Sequence, residues 1–212
     1  MGKGEKPRER LTSEERRARI IDAALDLFSQ RGFSGARTKE IALQAGISET
    51  LIFQHFKSKE DLYHSSLRHL FGSYRVAFAR MKELMAKEDD VGVFTVLAAN
   101  LVKDNRRDPR ILRLALFNAL EMGHFHDDID GVVEEEPPMR ELLRKYIEQR
   151  ADEGVFRRVN PELATRWFID TVYMYILDQG ASISGPPLEY SDDEVIETFV
   201  AIFLNGIRKT PR

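Results

Sequence analysis

A chain of 212 residues without one cysteine excludes disulfides, thiolate metal sites and cysteine-based catalysis, while its 42% hydrophobic content can fill a real core. The net charge of −3 hides a polarity. Through Lys59 there are 12 Lys or Arg and 8 Asp or Glu, a balance of +4, and the rest carries −7, so an anionic partner is expected at the N-terminal end.

The N-terminus, MGKGEKPRER, has no apolar region of a secretory signal, and no run approaches the ~20 apolar residues of a membrane span. The chain therefore reads as cytoplasmic, without a membrane partner. Helical periodicity runs through almost every segment. Thr12-Ser13-Glu14-Glu15 has the form of a capping box, and Ile20, Ala24, Leu27 and Phe28 follow on one helix face until Arg31-Gly32. A second, two-turn helix starts at Thr38, its expected N-cap, turns Ile41, Ala42 and Ala45 inward and stops at Gly46. Ser48 should cap a third short helix with Ile52 and Phe56 inward, and Ser58-Lys59-Glu60-Asp61 opens a fourth. Tyr63, Leu67, Leu70, Tyr74, Phe78, Met81 and Met85 form one stripe, so the fourth helix is expected to be long and to link two regions.

Beyond Glu88-Asp89-Asp90 comes a helix bearing Phe94, Leu97 and Leu101. Asp108-Pro109 starts another, with Leu112, Leu116, Phe117 and Leu120. Gly123 to Pro138 is acidic and aperiodic and reads as a loop. Met139 to Glu153 is helical up to Gly154, and Asn160-Pro161 starts the helix of Leu163, Trp167, Thr171 and Met174. After a Gly/Pro-rich loop, Ser191 and Glu194 cap a final helix with Val195, Phe199 and Ile202 on one face. The expected fold class is all-α.

Two short helices joined by a glycine turn match a helix-turn-helix. Ala42 and Ala45 let the helices cross closely, Gly46 makes the turn, and Ile47 plugs the angle. The outward face of the third helix would hold Glu49, Thr50, Leu51, Phe53 and Gln54. So short and apolar a helix could also be a buried connector. The neighbouring cations favour DNA: Lys57 and Lys59 at one end, with Arg37 and Lys39 at the start of the second helix, stand where phosphates would bracket a reading helix.

The run RIIDAALDLFSQRGFSGARTKEIALQAGISETLIFQHFKSKEDLY resembles the N-terminal domain of the tetracycline-repressor (TetR-type) transcriptional regulators. The likeness lies in F-x-x-x-G-F, in T-x-x-x-I-A-x-x-A-G-[IV]-S and in an aromatic-x-[YH]-F-x-S-K-x-x-L close, over about Arg19 to Leu70. It implies a helix-turn-helix DNA-binding domain with an N-terminal arm over 1–58, and a helical ligand-binding and dimerisation domain over 59–212. It further implies a homodimer on a palindromic double-stranded DNA operator, released when a small hydrophobic effector binds; an activator with the same domain stays open.

Carried over, Thr38 caps the second helix and can bind a phosphate, and Lys39 reaches a base or phosphate. Glu49, Thr50, Leu51 and Gln54 take base-edge positions, and His55 and Lys59 take backbone positions. Arg37, Ser48 and Phe53 complete the DNA-facing set. Phe53 stands where the family usually has Tyr, and Leu51 where it often has Ser or Thr, so two hydroxyl contacts are missing. Leu51 could touch a thymine methyl, Gln54 pair with adenine, and Glu49 accept from cytosine amino groups.

Candidates for the effector site are Tyr74, Phe117, Trp167 and Met174, with the polar Glu121, Asp170 and Thr171 on expected inward faces. Aromatic stripes of this kind serve equally as core. The last two helices are apolar over wide arcs, at Phe168, Val195, Phe199, Ile202, Phe203 and Gly206, which fits a two-fold dimer interface or a terminal helix folded on its own domain. His124-x-His126 with Asp127, Asp128 and Asp130 has the composition of a metal site but sits in the polar loop. It is what a rival reading as an enzyme or metal-dependent module would rest on; no cofactor or metal is assigned. No nucleophile elbow, phosphate-cradling glycine loop or HExxH appears, so catalysis is not expected.

Overall fold

The computed structural model describes residues 12–70, 72, 74–122, 139–182 and 184–209. Among these the fold is all-α, with one isolated antiparallel bridge between Phe156 and Arg208. The helices are α1 (Ser13–Gly35), α2 (Thr38–Ala45), α3 (Glu49–His55), α4 (Lys59–Leu70) and α5 (Tyr74–Ala86). They continue with α6 (Asp90–Arg107), α7 (Arg110–Met122), α8 (Met139–Asp152), α9 (Pro161–Ala181) and α10 (Asp192–Ile207). Two compact units meet between His69 and Leu70 in sequence.

In the first unit the chain's own polar side chains set the helix ends. The Thr12 hydroxyl accepts the Glu15 amide at 3.1 Å and the Glu15 carboxylate accepts the Thr12 amide at 2.7 Å, satisfying two otherwise orphaned donors of α1. Regular α1 geometry breaks at Gly32, whose φ of 72° only glycine adopts readily. Gly46 ends α2 in the left-handed region, and the Ile47 amide reaches back to the Ala42 carbonyl at 3.0 Å. Ser58 Oγ accepts the Asp61 amide at 3.1 Å, and the Asp61 carboxylate accepts the Lys57 amide at 2.8 Å. Inside lie Ile20, Leu25, Phe28, Ile41, Ile52 and Phe56, each worth about 1.5–3 kcal/mol on burial. Tyr63 closes this core edge-on to Phe28, ring centroids 4.9 Å apart.

Two local expectations are corrected. Arg37, not Thr38, occupies the N-cap of α2, its backbone extended at φ −107° and ψ 136°; Thr38 is the first helical residue and donates its hydroxyl to the Glu49 carboxylate. The single long fourth helix is in fact two, α4 ending at Leu70 and α5 starting at Tyr74. The apolar stripe of the sequence runs on from Leu70 to Tyr74, but Gly72 between the two helices is a weak helix former.

In the second unit α6 packs with α5, α9 and α10, and α9 packs with α8. Phe94, Phe168 and Phe203 meet at the centre, their centroids 4.8 to 5.0 Å apart. Asp89 caps α6 by accepting the Gly92 amide at 2.9 Å, Asn160 caps α9 by accepting the Leu163 amide at 3.1 Å, and Ser191 with Glu194 forms the capping box of α10. The Asp108 carboxylate accepts the Arg110 amide at 3.0 Å, but α7 begins at Arg110 rather than at Pro109, and Asp108 is the C-cap of α6. Its burial raises the carboxyl, but hydrogen bonds and charge from Arg110 outweigh that and hold it below the ordinary aspartate value.

A polar knot ties α6 to α8. Buried Asp90 accepts from Arg150 Nε at 2.9 Å and from the Tyr146 hydroxyl at 2.7 Å, and Arg150 also bonds Glu88 and Glu153. Burial first, then the bond to Asp90, pushes the Tyr146 hydroxyl well above its ordinary value. The end of α10 is pinned by the Arg157 amide donating to the Ile207 carbonyl at 2.7 Å.

Candidate nucleic-acid interface and the cavity behind it

The residues expected to face DNA stand on and around α2 and α3. Ile41, Ala42, Ala45 and Ile52 are buried, so the opposite sides of both helices are left to solvent. Ser48 is the exposed N-cap residue of α3, without a side-chain capping bond. Thr50 and Gln54 are exposed, Phe53 is 49% exposed, and Leu51, Glu49 and His55 are half-buried. Phe56 at the end of α3 is buried, beneath the Arg17 guanidinium at 4.8 Å.

The cations are arranged unequally. Arg37 and Lys39 are exposed at the start of α2, and Lys57 is exposed just after α3. Lys59 is half-buried with its ammonium 4.4 Å from the Phe33 ring centre, a cation–π contact that the sequence did not suggest. The Glu49 carboxylate, expected to read cytosine, is held by Thr38. Arg31 and Glu40 bridge α1 to α2 at 2.8 Å, and Gln44 donates to Asp26 at 2.8 Å, fixing α2 on α1. Hydrogen bonding to Arg31 lowers the Glu40 carboxyl.

The second unit carries a cavity of about 630 Å³ between α6, α7, α9 and the segment before α10. Leu112, Leu116, Ile176 and Leu177 supply its apolar wall, and Asn105, Arg106, Arg113, Tyr175 and Gln179 its polar one. A smaller cavity of about 340 Å³ shares Leu112, Leu116 and Leu177 with it and adds Asp170, Tyr173 and Met174.

The seven residues expected at an effector site scatter. Asp170 and Met174 line the smaller cavity, Asp170 being paired with Arg140 at 2.9 Å. Glu121 and Asp170 are exposed rather than turned inward, and the Thr171 hydroxyl is spent on the Trp167 carbonyl at 2.6 Å. Phe117 is half-buried, and Trp167 is 50% exposed, stacked on Phe203 at 5.7 Å. The side chain of Tyr74 lies outside the described residues. Asn105, Arg113 and Gln179 were missed because each is an ordinary polar residue on an amphipathic helix, and only the packing of three helices brings them together.

The expected interface residues divide as well. Phe168, Val195 and Phe203 are buried in their own unit, a correction forced by the wide apolar arcs of α9 and α10 being used partly for the intramolecular core. What remains outside is a shallow apolar trough of about 560 Å³ lined by Leu163 (66% exposed), Trp167, Ile202 (56% exposed) and Gly206, with Phe199 half-buried. His124, His126 and the acidic residues after them lie outside the described residues. Among the described residues no cluster of three or more His, Asp or Glu suits a metal, and no helix is long and apolar enough to cross a membrane.

A helix-turn-helix with a cation-flanked outward face, followed by a separate helical unit with an apolar-walled cavity, defines a DNA-binding regulator. Residues 20–65 match the model of the bacterial regulatory proteins of the tetR family. The chain is similar to the HTH-type transcriptional regulator YvkB of Bacillus subtilis (strain 168), 28% identical with 89% of this chain and 95% of that protein covered. It is similar also to the HTH-type transcriptional repressor KstR2 of Rhodococcus jostii (strain RHA1), 26% identical over 91% of each. Among solved structures it shares its fold with HlyIIR, a hemolysin II transcriptional regulator, with a TM-score of 0.67 at 17% identity, covering 94% of this chain and 100% of that one. Residues 20–65 thus form a domain of the tetR regulatory type, and over most of its length the chain is similar to HTH-type transcriptional regulators. Its relatives and fold neighbours are regulators and not enzymes.

Proposed function

We propose that the protein is a cytoplasmic homodimeric repressor that binds a palindromic operator and leaves it when a small effector fills the cavity between α6, α7 and α9. The observation that carries the proposal is the solvent-facing set Thr50, Phe53 and Gln54 on α3, with Arg37, Lys39 and Lys57 around it. Such a face offers base contacts at its centre and phosphate contacts at its rim. Two copies related by a two-fold axis would set two α3 helices about 34–36 Å apart, one turn of DNA.

The trough over Leu163, Trp167, Ile202 and Gly206 is the face we assign to the partner copy, where large apolar side chains stand in water and Gly206 admits a close backbone. Effector binding shifts the protein toward a state unfit for DNA by no more than its differential affinity for the two states. Selection from random double-stranded DNA with purified protein tests the proposal. An enriched inverted repeat is the expected result; enrichment of a single half-site, or of nothing, counts against it. The rival metal-dependent reading predicts stoichiometric metal lost on His126→Ala, which elemental analysis of the same preparation detects.

A further inference from the structure

The larger cavity has a polar wall whose hydrogen bonding is unfinished. Gln179 accepts the Leu188 amide through Oε1 at 3.1 Å, which fixes its amide orientation and leaves Nε2 as a buried donor with no partner among the described residues. The Tyr175 hydroxyl is likewise buried and unpartnered, its ring held edge-on to Phe199 at 5.5 Å. Asn105, 4% exposed, donates Nδ2 to the Leu101 carbonyl at 2.8 Å and leaves Oδ1 without a partner. A buried polar atom left unpaired is costly, and three residues lining one cavity each carry one. The charge is as lopsided: Arg106 and Arg113 line the cavity, and among the described residues no Asp or Glu does. Arg106 is 2.7 Å from Asp192, whereas Arg113 has no ion-pair partner among the described residues.

We propose that this cavity binds an apolar-bodied carboxylic acid as its carboxylate, a conclusion that rests on the effector role assigned to the cavity above. The carboxylate accepts from Gln179 Nε2 and the Tyr175 hydroxyl and is balanced by Arg113, while Leu112, Leu116 and Ile176 cover the apolar body. Asn105 Oδ1 is the exception, an acceptor that a hydroxyl on the same ligand would satisfy. A neutral amide or alcohol of the same body forgoes the arginine's charge. An amine meets two guanidinium groups.

Calorimetric titration of the full-length protein with two matched triplets tests this: decanoate, decanamide and decanol, and 4-butylbenzoate with its amide and benzyl alcohol. At least one carboxylate is expected to bind about tenfold or more tightly than its amide and alcohol partners. Arg113→Gln, a change at an exposed position, is expected to erase most of that preference while leaving the alcohol's affinity unchanged, and Gln179→Leu to weaken the carboxylate more than the alcohol and so to narrow it. Equal or weaker carboxylate binding in both triplets, no binding by any carboxylate, or a preference that survives both substitutions overturns the proposal. The same samples, assayed on the selected operator, separate the two ideas. A neutral ligand that binds and releases DNA leaves the effector role standing and removes the acid; an acid that binds without weakening the operator complex does the reverse.

Discussion

At the scale of single residues, the reading face separates positions that specify from positions that hold. Gln54 is exposed on α3, where its amide can pair with an adenine edge in the proposed operator complex, and Arg37 is exposed at the start of α2, where that proposal places a phosphate. Gln54→Ala is expected to relax preference at one operator position by about 1–3 kcal/mol, leaving the other positions as they were. Arg37→Ala is expected to weaken all sequences alike and to lower the slope of log K against log salt by about one unit. Binding isotherms on single-base operator variants at several salt concentrations measure both; a uniform loss from Gln54→Ala would remove it from base readout. Leu51 and Phe53 stood out from spacing alone. That Thr38 would spend its hydroxyl on Glu49, and Lys59 its charge on Phe33, did not, because both contacts cross between helices.

Helix ends followed from local chemistry, since a cap joins residues two or three apart. The Thr12, Asn160 and Ser191 caps and the Gly46 stop all stand where the sequence placed them. The capping bonds to Ser191 lower the Glu194 carboxyl from its ordinary 4.5. A carboxyl lowered in the folded state contributes stability that is fully present above its unfolded value and lost as the pH falls through the folded one. Glu194→Ala should therefore melt below the parent at neutral pH, with the gap narrowing below about pH 4.5. A gap that is constant from pH 7 to pH 3 would show that the charged cap is not the cause. On the outer faces of α9 and α10, Ile202→Glu is expected to convert the dimer to monomer in sedimentation velocity, because an unpaired carboxylate at an apolar interface costs several kcal/mol. A monomeric parent would refute that assignment directly.

For the molecule as a whole, the Asp90–Arg150–Tyr146 knot is the clearest case of stability held by residues distant in sequence. Arg150→Met should destabilise by about 3–5 kcal/mol in urea unfolding, since it strands the Asp90 carboxylate inside, with Arg208 at 3.8 Å as partial compensation. Asp90→Asn added to it should restore much of the loss. If the double variant is as unstable as the single one, lost packing rather than a buried charge is responsible.

The sequence by itself determined the all-α class, the caps at Thr12, Asn160 and Ser191 and the tetR-type motif of the first unit, because helix periodicity, cap chemistry and the glycine turn act within a few residues and that motif is contiguous. Which apolar face is core and which is left for a partner was decided only by the tertiary structure, as Phe168 and Phe203 turned inward and Leu163 and Ile202 outward from helices apolar over similar arcs. The same holds for the cavity. Its unpaired donors on α9 and its arginines beside α7 acquire meaning only when non-local packing closes the space between them.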